Sequence, residues 1–273
     1  MKKFEGILIT TDLDGTLLRN DKSVSRENLS AIEYFKENAG VFTFVTGRPS
    51  VIVGDIYSLV RPNAPIGCFN GGGICDMETG EYLSKHPLSR EALELVRFVD
   101  ESIPDMSIQL CGFDKSYFCK MNDAMEEHRI TANFPDLRCH YTEFEGELAK
   151  VLFAHFEEKE LFRLRDLLLS HPLSERFQLM RSAEEYLEIL PKGVDKGKNL
   201  TDIADSVGID IKRSIAIGDN DNDASMLEKA GIGIAVGNAS EIAKSKADII
   251  TVSNEESAIA RVIKDIDEGK IKV

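Results

Sequence analysis

Residues 6–18 read Gly-Ile-Leu-Ile-Thr-Thr-Asp-Leu-Asp-Gly-Thr-Leu-Leu, and this run constrains the chain more than any other. A β-prone stretch over 7–11 is followed at once by Asp-x-Asp-Gly-Thr. Asp and Gly are depleted in strands, so the strand should stop there with carboxylates at its C-terminal tip. An extended backbone repeats every two residues, which sends Asp12 and Asp14 to the same side. Two carboxylates held together are unfavourable without a cation or a shared proton. A divalent metal is the first candidate, because Mg²⁺ takes oxygen ligands and keeps positions open for phosphate oxygens. A surface turn would use the same residue types, but the apolar strand directly before it speaks against that reading. In open α/β sheets, ligands gather beyond the carboxyl ends of the strands.

The rest of the chain supports such a sheet. A helix is expected over 25–38, a strand over 41–45, a helix over 50–60 and a strand over 66–69. This β-α-β-α-β order argues for a parallel sheet covered by helices. The rhythm then changes. A hairpin over 74–83, a helix over 89–101 and paired strands over 106–110 and 116–119 come next. A helix over 122–133, a strand over 151–156, a helix over 159–169 and strands over 177–181 and 186–190 complete this mixed block. From Pro191 the alternation resumes, with a helix over 196–207, strands over 214–217, 232–236 and 248–250, and a last helix from about Glu255. The expected organisation is an α/β core made of 1–84 and 189–273, divided by an α+β insert over 85–188.

Further motifs fall at the expected strand ends. Gly218-Asp219-Asn220-Asp221-Asn222-Asp223 is a second acidic tip. Asp221 reads as an ordinary first-turn residue. A calcium loop is ruled out, since its sixth position is Ala224 rather than Gly and its twelfth is Ala230 rather than Glu. If both acidic tips lie on neighbouring strands, they complete one oxygen-ligand site. Thr46-Gly47-Arg48 closes the second strand, where a hydroxyl and backbone N–H groups at a helix start can hold a phosphate. Lys196 opens a helix and can supply the positive charge that a phosphate beside carboxylates requires. Asn70-Gly71-Gly72-Gly73 lacks the spacing of a Walker A or G-x-G-x-x-G loop and reads as a tight turn where the backbone approaches a ligand.

Composition narrows the function classes. The 273-residue chain carries a formal net charge of −14, which repels nucleic acid and makes any phosphate site a local exception. Five cysteines, an odd number without a C-x-x-C pair, favour reduced thiols in a cytoplasmic protein over disulfides or zinc. No apolar run approaches the roughly 18 residues of a membrane span. The histidines are scattered, without H-E-x-x-H or a Ser or Cys partner.

Taken in order, Asp-x-Asp-Gly-Thr, Thr-Gly-Arg, Lys196 and Gly-Asp-x-x-Asn-Asp resemble the haloacid dehalogenase (HAD) superfamily. The long insert and Asn70-Gly71-Gly72 resemble its Cof-type phosphatases with a C2B cap, subclass IIB. The likeness covers essentially the whole chain. It implies a Rossmann-like doubly wound core, an inserted C2-type cap, and phosphatase chemistry through an aspartyl-phosphate. Asp12 would be the nucleophile and Asp14 the acid and base. Mg²⁺ would be held by Asp12, the backbone carbonyl of Asp14 and Asp219, with Asp223 in support. Leu13, Thr46, Gly47, Lys196 and Asn222 would bind the phosphate. Arg48 is placed on the substrate side by position, and Asn70 and Gly71 would likewise bind phosphate or substrate. The partner would be a small phosphorylated metabolite such as a sugar phosphate, with no nucleic acid and no membrane involved. Phosphotransfer or mutase chemistry is the alternative, and a non-catalytic metal- or ligand-binding regulator a third reading.

Overall fold

The computed structural model describes residues 2–273. Strand β1 (Leu8–Thr11) is followed by helix α1 (Arg26–Glu37), strand β2 (Val41–Phe44), helix α2 (Gly54–Val60) and strands β3 (Ile66–Cys68), β4 (Gly73–Asp76) and β5 (Glu81–Lys85). The next block holds α3 (Ala92–Ser102), β6 (Ile108–Gly112), β7 (Ser116–Lys120), α4 (Asp123–Thr131), β8 (Leu148–Ala154), α5 (Glu158–Ser170), β9 (Phe177–Ala183) and β10 (Tyr186–Pro191). The chain ends with α6 (Lys196–Val207), β11 (Ser214–Gly218), α7 (Ala224–Lys229), β12 (Ile232–Ala235), α8 (Glu241–Lys246), the two-residue β13 (Ile249–Ile250) and α9 (Ala258–Asp267).

Two compact units result. One comprises Met1–Arg48, Gly54–Lys85 and Asp195–Val273; the other comprises Pro49–Val53 and His86–Val194.

The first unit is built on a five-stranded sheet in the order β13-β12-β11-β1-β2, parallel throughout. Its strands are apolar runs buried on both faces, such as Leu8–Thr11 and Ser214–Gly218, as a helix-covered parallel sheet requires. From β1 the chain crosses through α1 to β2 on one side, and from β11 through α7 to β12 on the other. Right-handed crossovers in opposite directions put α1 and α7 on opposite faces. Helix α9 packs on α1, and α6 packs on α7. The direction of winding therefore reverses between β1 and β11, which are direct neighbours with Thr11 opposite Ile217. That switch point is where an open α/β sheet leaves a crevice at its carboxyl edge.

Strand β3 departs from the expected role as a third full parallel strand. It meets the chain after β2 through one parallel bridge, Val45 with Gly67. It then pairs antiparallel with β4, and β4 with β5, in a small separate sheet.

The second unit is an antiparallel sheet in the order β7-β6-β8-β10-β9. Alternation along its strands separates two faces. Ile108, Leu110, Val151, Phe153, Leu187 and Ile189 face α3 and α5, which contribute Leu95, Val96, Val99, Leu161, Leu164 and Leu168. Leu152 and Ala154 point the other way, into a cluster with Phe118, Ala124, Met125 and Phe134. Ile52 packs against that second cluster, which is why the stretch Pro49–Val53 belongs to this unit. The helix expected over 50–60 is correspondingly broken into a short turn, Ser50–Ile52, and α2. Val51, Ile52 and Val53 are β-branched and poor helix formers. The return to the first unit falls at Asp195 rather than at 189, because β10 runs on to Pro191 in register with β9. No helix among the described residues is long and apolar enough to cross a membrane.

Beside Leu152 on the second face, Lys150 is buried and donates from Nζ to Glu188 Oε1 at 2.6 Å. Glu188 also accepts from Ser182 Oγ at 2.7 Å. Removing one partner of a buried pair leaves the other charge in a poor solvent. Lys150→Met should therefore cost about 3–5 kcal/mol in urea unfolding, and Lys150→Met/Glu188→Leu should recover most of that loss.

Candidate active site

The ends of β1 and β11 bring the two acidic tips together. The Asp12 amide donates to the Ile217 carbonyl at 2.8 Å, so the pairing of the strands runs on into the first motif. One carboxylate oxygen from each of Asp12, Asp219 and Asp223 lies within 4.8 Å of the others. Asp12 and Asp223 are buried and Asp219 is half-buried.

Lys196 supplies the counter-charge. Its side chain is 1% exposed, and its Nζ donates to Asp12 Oδ1 at 2.6 Å and to Asp223 Oδ1 at 2.5 Å. Helix α6 delivers it there. Asp195 caps that helix by accepting from the Lys198 amide at 3.0 Å, and the Gly197 amide donates to Ser225 Oγ at 3.2 Å, tying α6 to α7. The other oxygen of Asp223 accepts from the amides of Asp219 and Asn220, both at 3.0 Å. Asp223 thus shapes the second acidic loop while facing Lys196. Thr16 Oγ1 donates to Asp219 Oδ1 at 2.7 Å and links the two motifs. Between them Gly15 has φ +79°, and a Cβ there would lie 2.4 Å from Asp219 Oδ2. Only glycine serves both requirements.

The charges do not balance: three carboxylates face one ammonium. Burial pushes the Asp12 carboxyl well above its ordinary range; Lys196 pulls it back, and Asp223, Asp219 and Asp14 add to the rise. Burial, joined by Asp223 and Asp14 and opposed by the Thr16 bond and Lys196, pushes Asp219 up to about 7. Burial works against the charge of Lys196, yet Asp12 and Asp223 outweigh it and the ammonium is held more firmly than usual. A cluster of carboxylate oxygens with excess negative charge is the donor set that a hard divalent cation selects. The residues therefore fit a metal ion of that kind.

Asp14 stands apart from this cluster. Its carboxylate accepts from Arg48 Nε at Oδ2 (2.8 Å), from Arg48 Nη2 at Oδ1 (2.7 Å) and from Lys22 Nζ at Oδ1 (2.9 Å). Partial burial pushes this carboxyl up, but Arg48 and Lys22 outweigh that and hold it below the usual range. The two aspartates of the first motif thus have opposite surroundings.

The rim residues fall into one connected loop system. Thr46 is buried, and its Oγ1 accepts from the Arg48 amide at 3.2 Å. The Asn70 amide donates to the Thr46 carbonyl at 3.1 Å, and the Phe69 amide to the Arg48 carbonyl at 3.2 Å. Asn222 Nδ2 donates to Asn70 Oδ1 at 3.1 Å, while its own Oδ1 is buried with no hydrogen-bond partner among the described residues. Gly71 has φ +114°, and a Cβ there would lie 2.3 Å from the Asp195 carbonyl oxygen. The tight turn expected at 70–73 is present, and the backbone of Asp195, just before Lys196, lies close against it.

Sequence reasoning singled out Arg48 by position alone and gave Thr16 and Lys22 no role. Thr16 lies inside the first motif. Lys22 lies in a stretch, Arg-Asn-Asp-Lys, that reads only as a turn; its reach to Asp14 has no sequence signal.

Known proteins resemble this chain over most of its length. The family model of haloacid dehalogenase-like hydrolases matches residues 9–263. The chain is 32% identical over 267 residues to the 5-amino-6-(5-phospho-D-ribitylamino)uracil phosphatase YitU of Bacillus subtilis, covering 94% of this chain and 96% of that one. It is 30% identical over 233 residues to an HMP-PP phosphatase of Escherichia coli, covering 85% and 84% of the two chains. A haloacid dehalogenase-like hydrolase from Bacteroides thetaiotaomicron matches in structure with a TM-score of 0.84 at 26% identity, over 97% of this chain and 100% of that one. The chain belongs to the haloacid dehalogenase-like hydrolases. Within them it is a phosphatase of the Cof type.

The Asp219 pKa gives a stability test with a definite sign. Because it is raised in the folded state from 3.8 to about 7, the native protein binds more protons than the unfolded chain across that window. Its contribution therefore falls as pH rises from about 4 to about 7. In EDTA, the unfolding temperature should be lower at about pH 8 than at about pH 5.5. Added Mg²⁺ should raise it more at the higher pH, where the carboxylates are ionised. Thermal unfolding scans in the four conditions measure this.

Proposed function

We propose that this protein is a Mg²⁺-dependent phosphatase that hydrolyses small organic phosphate monoesters through an aspartyl-phosphate at Asp12. The observation that carries the proposal is the Asp12–Lys196–Asp223 ion cluster beside Asp219 at the switch point of the sheet. The named relatives, a phosphoribitylaminouracil phosphatase and HMP-PP phosphatases, favour phosphorylated metabolites as the substrate class. The residues 85–188 in this reading serve as the cap that recognises the leaving group. The five free cysteines fit a cytoplasmic setting.

Asp12, the backbone carbonyl of Asp14, Asp219 and Asp223 would hold the metal. Bound there, Mg²⁺ would supply positive charge to the phosphoryl oxygens and to the Asp12 carboxylate. An oxygen of Asp12 attacks phosphorus, the ester P–O bond breaks, and the departing oxygen takes a proton from Asp14. Asp14 then accepts a proton from a water molecule that attacks the same phosphorus. The acyl phosphate breaks, inorganic phosphate leaves and Asp12 is regenerated. Lys196 holds charge next to Asp12 Oδ1 throughout. The Thr46 hydroxyl, the amides of Leu13 and Gly47 and the side chain of Asn222 orient the phosphoryl group, with Asn70 and Gly71 holding that rim in place. Phosphate monoester hydrolysis needs accelerations up to ~10²¹, far beyond the 10²–10⁴ that general acid–base help contributes. Charge stabilisation by the metal, Lys196 and oriented donors must provide much of the remainder.

A panel of phosphate monoesters followed by phosphate release tests this. Wild type with Mg²⁺ should release phosphate. EDTA should abolish it, and Asp12→Asn should reduce it by at least about 10³-fold. Equal activity in all arms would overturn the assignment. Appearance of an isomeric phosphate ester in place of inorganic phosphate, read by phosphorus NMR, would turn it to mutase chemistry.

A further inference from the structure

Lys22 is the feature of this site that the reaction as described does not use. It follows β1 by eleven residues, in a turn that is fastened at several points. The Arg19 amide donates to the Ser23 carbonyl and the Lys22 amide to the Arg19 carbonyl, both at 2.9 Å. Asp21 Oδ1 accepts from the Ser23 amide at 2.9 Å and from Ser23 Oγ at 2.6 Å. Asn254 Nδ2 donates to the Leu18 carbonyl at 3.0 Å, and the Asn20 amide to Glu255 Oε1 at 2.8 Å, so the turn is also anchored to the C-terminal segment. Within it Lys22 has φ +66°, a left-handed conformation that is unfavourable for a residue with a β-carbon. The turn aims the ammonium at Asp14 Oδ1, 2.9 Å away.

Stability does not account for this arrangement. The Lys22 side chain is 55% exposed and that of Asp14 is 40% exposed, and an ion pair in that setting contributes little. The bonding at Asp14 is also asymmetric. Oδ2 is held by Arg48 Nε alone, whereas Oδ1 is held by both Arg48 Nη2 and Lys22 Nζ. While Arg48 keeps both bonds, Oδ1 is fully occupied and Oδ2 has one acceptor site left. Arg48 adjoins Thr46 and Gly47, and a phosphoryl dianion at those residues competes for its guanidinium. If Arg48 turns to the substrate, Oδ2 loses the Arg48 Nε bond and Oδ1 keeps Lys22.

We propose that Lys22 is a positioning residue for the reaction: it retains Asp14 by Oδ1 when substrate draws Arg48 away, leaving Oδ2 as the atom that gives the proton to the leaving oxygen. This rests on the acid and base role of Asp14 under the proposed function. A carboxylate released by both cations would be free to rotate, and proton transfer depends on its orientation. The effect therefore falls on leaving groups that need a proton, and spares those that do not.

The test compares wild type, Lys22→Met, Lys22→Arg and Asp14→Asn, with Mg²⁺, on p-nitrophenyl phosphate and on an alkyl or sugar phosphate. kcat/KM is the readout because it reports the steps up to departure of the leaving group. Lys22→Met should lower kcat/KM about tenfold on the sugar phosphate and less than about twofold on p-nitrophenyl phosphate. Lys22→Arg should restore most of the loss, and the unfolding temperature should not move. Equal losses on both substrates, or no loss on either, would overturn the proposal. If Asp14→Asn itself left the sugar phosphate rate unchanged, the acid role would fall and Lys22's with it. That arm separates the two failures.

Discussion

The Lys196 ammonium between Asp12 and Asp223 is the interaction on which the site depends. Its partners lie 184 and 27 residues away in sequence, so the contact exists only after β1, β11 and α6 have assembled. Three nearly inaccessible charged groups are tolerable because each is paired. Asp223 has two backbone amides besides the ammonium. The Asp12 carboxylate accepts from Lys196, and burial drives its carboxyl upward. The excess negative charge left over, on Asp12 and Asp219, is the property that a divalent cation would exploit, and the cation in turn would attract a phosphoryl group. In a chain of net charge −14, this is a small region where cations and amides have been gathered deliberately close.

That arrangement follows from how a parallel sheet is wound. β1 and β11 are adjacent, yet the chain leaves them in opposite directions. The loops at their carboxyl ends therefore diverge, and each carries its acidic residues into the gap between. Close backbone approach then does the fine placement. Gly15 lets the first loop lie against Asp219, and Gly71 lets the 70–73 turn lie against Asp195, the residue that caps α6 and precedes Lys196.

Much of this was legible in the residues. Strand ends followed by Asp or Gly, the helix opening at Lys196 and the antiparallel pairs of the insert were all readable from local pattern, since strand alternation and turn chemistry are local effects. The misreadings arise where pairing and packing reset an element's bounds. The helix expected over 50–60 breaks where the β-branched Val51, Ile52 and Val53 disfavour it and where Ile52 packs on a cluster that includes Phe118 and Leu152, far along the chain. The return to the core falls at Asp195 because β10 extends its pairing with β9. β3 is drawn into a hairpin with β4 and keeps only one parallel bridge to the chain after β2. In the first case a partner distant in sequence contributed; in the other two, hairpin pairing with the neighbouring strand set the outcome.

The same division runs through Asp12 and Asp14. Sequence alone led to the expectation that they share one side of a strand end, because the extended backbone has a period of two, and that two carboxylates so placed need cations. The strand itself ends at Thr11, and Asp14 stands apart from the cluster around Asp12. Sequence did not determine which cation each would meet. Lys196 at Asp12, and Arg48 with Lys22 at Asp14, were decided by the tertiary structure. The physical reason is range: the direction of a side chain is set by its own backbone, whereas its electrostatic surroundings are set by whatever the fold brings within a few ångströms. Two aspartates of one motif thereby acquired opposite shifts, one raised by burial and one lowered by its ion pairs.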